Sequence, residues 1–102
     1  MGLTLVWAEP AAEQFVERLE YLGAFNPEAA RRVRRKVDAS LKRIAAFPEL
    51  GRWVPEFGPG LYRELLVKPL RILYEDHGDR LVVTCVHRQE ESIGPDTFDS
   101  EE

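Results

Sequence analysis

A chain of 102 residues is one domain's worth of sequence, long enough for a modest core, and its 44% hydrophobic and 31% charged residues read as a soluble globular protein. No apolar run approaches the roughly 18 residues that span a bilayer, so no membrane partner is expected, and Met1-Gly2-Leu3-Thr4 lacks the basic start of a secretory signal, which makes the cytoplasm the expected location. The net charge of −4 is an average over an unevenly charged chain whose body is only weakly basic, less positive than a strong, nonspecific nucleic-acid binder would need to be. The single cysteine, Cys85, excludes an internal disulfide and reads as a packed thiol.

Residues 3–7 read as a short strand, after which Pro10 opens a helix at its first position. Ala11, Phe15, Leu19 and Leu22 recur at helical spacing, and Gly23 is expected to end or weaken that helix. Asn26-Pro27-Glu28 is a strong helix start: Asn caps, Pro suits the first turn, and Glu favours the positive end of the dipole. The second helix is predicted over about 27–46, with Ala30, Val33, Val37, Leu41 and Ile44 on its apolar face. The basic run Arg31 to Lys36 falls mostly off that face and reads as solvated, or as a place where an acidic partner docks. Two amphipathic helices joined by residues 23–26 make an antiparallel hairpin.

Phe47-Pro48-Glu49-Leu50-Gly51 stops the second helix, and a loop broken by Pro55, Gly58 and Pro59 runs to Gly60. Trp53 in that loop reads as an apolar cap on the core. Three strands are predicted next, over 61–67, 70–75 and 80–88, joined by turns at Lys68-Pro69 and His77-Gly78. The last is apolar at both parities and should lie inside the sheet. The expected fold is α+β, in the order β-α-α-β-β-β, with a helical hairpin on one side of a small, mostly antiparallel four-stranded sheet. Residues 1–91 form the domain, and 92–102 an acidic tail expected to be mobile.

Charge is divided along the chain. Residues 1–89 hold all 14 Lys and Arg against 12 acids, whereas Glu90, Glu91, Asp96, Asp99, Glu101 and Glu102 follow with no base among them. Of the bases 11 are arginine, the side chain suited to planar recognition of phosphates and carboxylates. Several arginines sit inside strand-like apolar runs, where a strand holds them rigidly at the sheet surface.

Five segments together resemble the RelE/ParE superfamily of small bacterial toxins, over about residues 3–91. They are the Asn26-Pro27-Glu28-Ala29-Ala30 helix start, the Phe47-Pro48-Glu49-Leu50-Gly51 stop, Tyr62-Arg63-Glu64-Leu65, Leu70-Arg71-Ile72-Leu73-Tyr74 and Val86-His87-Arg88. The Pro-Glu-Leu-Gly stop looks more like the ParE branch than the RelE branch. The resemblance implies the toxin of a type II toxin–antitoxin pair, held silent by a cognate antitoxin that wraps its surface. In the ParE branch the target is DNA gyrase, inhibited by binding. In the RelE branch it is messenger RNA on the ribosome, cut by a metal-free endoribonuclease. A third reading is a toxin-fold binding module without activity. The ending departs from ParE, where His is followed, after two intervening residues, by Arg; here Arg88 and Gln89 intervene and Glu90 stands at that place. RelE-like nucleases supply lysines near the long loop and a late Tyr or His, whereas this loop holds only Arg52 and no Tyr follows Tyr74.

Metal-free RNA cleavage needs a base, positive donors for the phosphate and an acid for the leaving oxygen. Arg71 is the first candidate donor, matching the strand arginine of nuclease members, with Arg88 and Arg63 next. His87 is a candidate titrating group, while nothing in the spacing of Glu56 supports it as the base. The plain alternatives are an Arg63 paired with Glu49 or Glu75, a solvated Arg88 and a hydrogen-bonded structural His87. A three-residue turn at 67–69 and a two-residue turn at 77–78 would put Arg63, Arg71 and Arg88 on one sheet face with His87 on the other. No metal-ligand spacing, phosphate loop or Ser-His-Asp pattern is present, and no cofactor or metal is expected.

Overall fold

A computed structural model of the protein describes residues 2–89. The acidic tail expected at 92–102 lies outside the described residues. The elements are β1 (Thr4–Trp7), α1 (Glu9–Phe25), α2 (Pro27–Ala46), a 3-10 turn (Pro48–Leu50), β2 (Arg52–Trp53), β3 (Arg63–Val67), β4 (Leu70–Asp76) and β5 (Arg80–Arg88). The class is α+β as expected, but the sheet has five strands in the order β1-β5-β4-β3-β2. β1 lies parallel to β5, and the other pairings are antiparallel. The extra strand, β2, is two residues long and pairs only with Arg63 and Glu64. A piece that short carries no period-2 pattern to read.

The second helix starts where its capping residues place it: the Asn26 side chain accepts a hydrogen bond from the Ala29 N–H at 3.1 Å, and Pro27 occupies the first turn. Gly23 does not end α1, which continues to Phe25. Glycine costs about 1 kcal/mol in a helix, and here it lies against α2, where an added Cβ would sit 3.5 Å from that of Ala30. Close approach of the two helices outweighs the propensity cost.

The hairpin covers one face of the sheet. Ala11 and Phe15 of α1, and Val33, Val37 and Leu41 of α2, pack onto Val67, Leu70, Ile72, Val83 and Val86. Each such fully buried aliphatic side chain contributes about 1.5–3 kcal/mol. Gln14 ties α1 to the sheet, its side-chain oxygen accepting the Val86 N–H at 2.7 Å beyond the end of β1. On the opposite face the loop after β2 supplies Val54, Phe57 and Tyr62, which enclose Leu73 and Cys85. Cys85 is buried there, as its sequence context implied.

Two details of register decide which side chains share a face. The β3–β4 turn has two residues, with Val67 opposite Leu70, so Leu66 faces Arg71 and Arg63 faces Tyr74. Between Leu73 and Tyr74 the β4–β5 ladder shifts: Leu73 opposes Cys85 and Tyr74 opposes Val83. Thr84 is the extra residue of this bulge, and its hydroxyl donates to the Leu73 carbonyl at 3.2 Å.

Candidate functional site

These registers overturn the expected arginine cluster. Arg71 and His87 are cross-strand partners on the loop-covered face, while Arg63 and Arg88 align with Tyr74 and Leu70 on the helix-covered side. A two-residue turn in place of three, and one bulge residue in β5, each reverse a parity, and a one-residue slip moves a side chain to the other face.

Arg63 works as a brace. Its guanidinium donates to the Gly51 carbonyl at 2.8 Å and reaches the Glu49 carbonyl at 3.4 Å. It also stacks 3.9 Å above the Trp53 ring. The expected pairing was with the Glu49 or Glu75 carboxylate; the observed partners are backbone oxygens of the helix stop. Tyr74 holds the same segment, donating to the Pro48 carbonyl at 2.7 Å and accepting from the Gly51 N–H at 3.0 Å. Burial raises the Tyr74 pKa above its ordinary value, against the lowering effect of the Gly51 hydrogen bond. Gly51 has to be glycine, since a Cβ there would lie 2.2 Å from the Tyr74 hydroxyl. The 47–51 stop and the two strand motifs therefore hold one another together. Trp53 lies beneath Arg63 at the sheet edge instead of capping the core, and Arg88 is exposed at the end of β5.

Arg71 lies in a chain of ion pairs. Its Nε and Nη2 donate to Glu64 Oε1 at 2.8 and 2.6 Å, and its Nη1 and Nη2 grip the two oxygens of Glu56 at 3.1 and 3.0 Å. Glu64 Oε2 accepts from Arg52 Nε at 2.5 Å. The side chains of Arg71 and Glu64 are 7% and 0% exposed, those of Glu56 and Arg52 30% and 58%. The hydrogen bonds Arg71 donates to Glu56 hold its pKa above the ordinary value; burial opposes this and Glu64 adds to it. Two carboxylates thus neutralise two guanidiniums. A shallow cleft of about 200 Å³ opens between Arg52, Pro55, Glu56, Leu66, Arg71 and Gln89, with Glu56 at its wall. A phosphate entering it would meet carboxylates already bonded to the buried cation, and burying one charge is tolerable only when it is paired. The spacing of Glu56 in the sequence pointed to no role; the fold makes it half of this latch.

A second basic region has the opposite character. Three adjoining depressions of about 280, 390 and 210 Å³ run between α2 and the edge of β3. Arg32, Lys36 and Arg43 of α2 line one side, on a helical stripe of spacing four and seven, and Lys68 the other. The floor is apolar: Val33, Leu65, Leu66 and Val67, with Leu50 at one end. Among the described residues no acid lines any of the three, and none of these four cations has an ion-pair partner. Because β2 stops after pairing Glu64, the edge of β3 at Leu65–Val67 has no strand beside it among the described residues. The run Arg31 to Lys36 is thereby divided: Arg31 pairs with Glu28 on the solvated side, at 2.6 Å, and Arg32 and Lys36 face the groove. Among the described residues no group of three His, Cys, Asp or Glu is placed to hold a metal ion.

Fold and site together define a small α+β domain that presents charge and apolar surface for binding. A family model described as the ParE toxin of type II toxin–antitoxin systems, parDE, matches residues 5–92, and the chain belongs to that family. Among solved structures it is similar to the chromosomal ParDE toxin–antitoxin system from P. aeruginosa, with a TM-score of 0.70 and 20% sequence identity, over 86% of this chain and 97% of that one. At that identity the likeness is one of fold. No curated protein sequence matches the chain. The protein is a type II toxin of the ParE type, and a cognate antitoxin is its partner.

Proposed function

We propose that this toxin acts by binding DNA gyrase in the cytoplasm and is silenced when its antitoxin lays an acidic, amphipathic segment along the α2–β3 groove. Gyrase inhibition is the role known for the family to which the chain belongs. The observation that carries a binding mode of action is the state of Arg71. RNA cleavage would need that side chain as a phosphate donor, and here it makes four hydrogen bonds to Glu56 and Glu64. Arg63 is engaged with the 49–51 backbone, and His87 and Arg88 leave β5 on opposite sides. The groove supports the antitoxin arm: its four cations, and a β3 edge with no strand beside it among the described residues, suit an extended acidic peptide.

The test is a supercoiling assay with purified gyrase beside a cleavage assay on ribosome-bound message. The expected result is inhibited supercoiling with the message intact. Message cleavage without gyrase inhibition, or no effect in either assay, overturns the proposal.

A further inference from the structure

Two stretches of this chain carry charge of one sign. One is the α2–β3 groove, with Arg32, Lys36, Arg43 and Lys68 and no acid among the described residues that line it. The other is residues 90–102, with six carboxylates and no base. The chain enters the second from beside the first. The Gln89 N–H donates to the Pro69 carbonyl at 2.9 Å, and its side-chain amide reaches the Leu70 carbonyl at 3.4 Å. Pro69 itself lines the groove at its Arg32, Lys36 and Lys68 end.

We propose that residues 90–102 lie in the α2–β3 groove of the partner-free protein, their carboxylates set against Arg32, Lys36, Arg43 and Lys68. Thirteen residues extend up to about 43 Å at roughly 3.3 Å each. From Arg32 to Arg43 along α2 is about 17 Å at 1.5 Å per residue. The tail therefore has ample length to follow the groove from Pro69 to Arg43. Its two large apolar residues, Ile93 and Phe98, are matched by the floor at Leu65, Leu66 and Val67. The other arginine region near Gln89 makes a poor seat, because Glu56 and Glu64 already neutralise Arg52 and Arg71. Most of the tail, Ile93 to Glu102, lies beyond residues 5–92, the span that the family model matches. A docked tail would compete with any acidic partner for the groove. Tail docking requires only the groove and is independent of which target the toxin inhibits.

The experiment places a nitroxide label on the full-length chain at Ser100→Cys, where buried Cys85 stays unreacted under native conditions, and reads paramagnetic broadening of backbone amide signals. Broadening is expected at Arg32, Lys36, Arg43 and Lys68 at low ionic strength. It should disappear at about 1 M salt, where the Debye length is about 3 Å. It should also disappear in Lys36→Glu/Lys68→Glu. A second variant, in which the tail acids Glu90, Glu91, Asp96, Asp99, Glu101 and Glu102 become their amides, leaves the folded body untouched and should abolish the broadening as well. Groove signals that keep full intensity, or broadening centred on another surface, overturn the proposal. So does broadening that persists when the label is on one copy and the observed isotope on another, because the occupant is then a second molecule.

Discussion

The two basic regions of this toxin contain the same kinds of side chain and behave in opposite ways. Around Arg71 every guanidinium meets a carboxylate, two of the four groups are buried, and the cluster is close to neutral. Along the α2–β3 groove three cations of α2 and Lys68 opposite them face an apolar trough with no acid among its described lining residues. The first arrangement fastens the 54–62 loop to the sheet; the second leaves charge available to another molecule. Positive charge in a sequence therefore says little about binding until its partners are placed.

The sharpest way to break this comparison is Arg71→Ala. It strands the buried carboxylate of Glu64, and a loss of about 3–5 kcal/mol is expected in denaturant unfolding. A loss below 1 kcal/mol would mean that Arg71 is not part of a structural latch. Glu56→Gln removes a partner that is partly in solvent and keeps one acceptor, so about 1 kcal/mol is expected in the same measurement. Replacing the buried pair together, Arg71→Met with Glu64→Leu, should change stability by less than about 1 kcal/mol, since an apolar pair avoids the desolvation of two charges. Gyrase inhibition surviving in that double variant would separate the network from the toxic activity. The smallest effect on stability belongs to the groove: Lys36→Ala and Arg43→Ala should stay within about 0.5 kcal/mol by thermal melting. The same two variants should weaken antitoxin binding in a titration and flatten its salt dependence, and unchanged affinity would remove the groove from partner recognition.

Much of the architecture is legible in local chemistry. Asn26-Pro27-Glu28 and Phe47-Pro48 bracket α2 at residues 27 and 46, because caps and prolines act through nearest neighbours. The failures all come from longer range. Gly23 reads as a helix end, yet the packing of α1 on α2 carries the helix past it. β2 is invisible, since two residues become a strand only by lying next to Arg63 and Glu64. The candidate site suffers most. Arg71 stands out for a functional reason and proves to be latched by Glu64 from the neighbouring strand β3 and Glu56 from a loop. Neither contact has a sequence spacing that periodicity reveals. The available signal was the carboxylate itself, Glu64 in the middle of an apolar strand, which needed a cation as much as Arg71 needed an anion. Arg32 and Lys36 read as part of a basic face, and only the hairpin's position over the sheet separates them from Arg31.

The irregularity at Thr84 has a consequence for how such chains are compared with one another. Upstream of it, odd-numbered positions of β5 point toward the helices; downstream, even-numbered ones do. A relative lacking that one residue, aligned column by column, would have its final basic and imidazole side chains assigned to the wrong sides of the molecule. For proteins of this kind the inventory of terminal residues is informative only after the insertion or deletion of a single codon has been located.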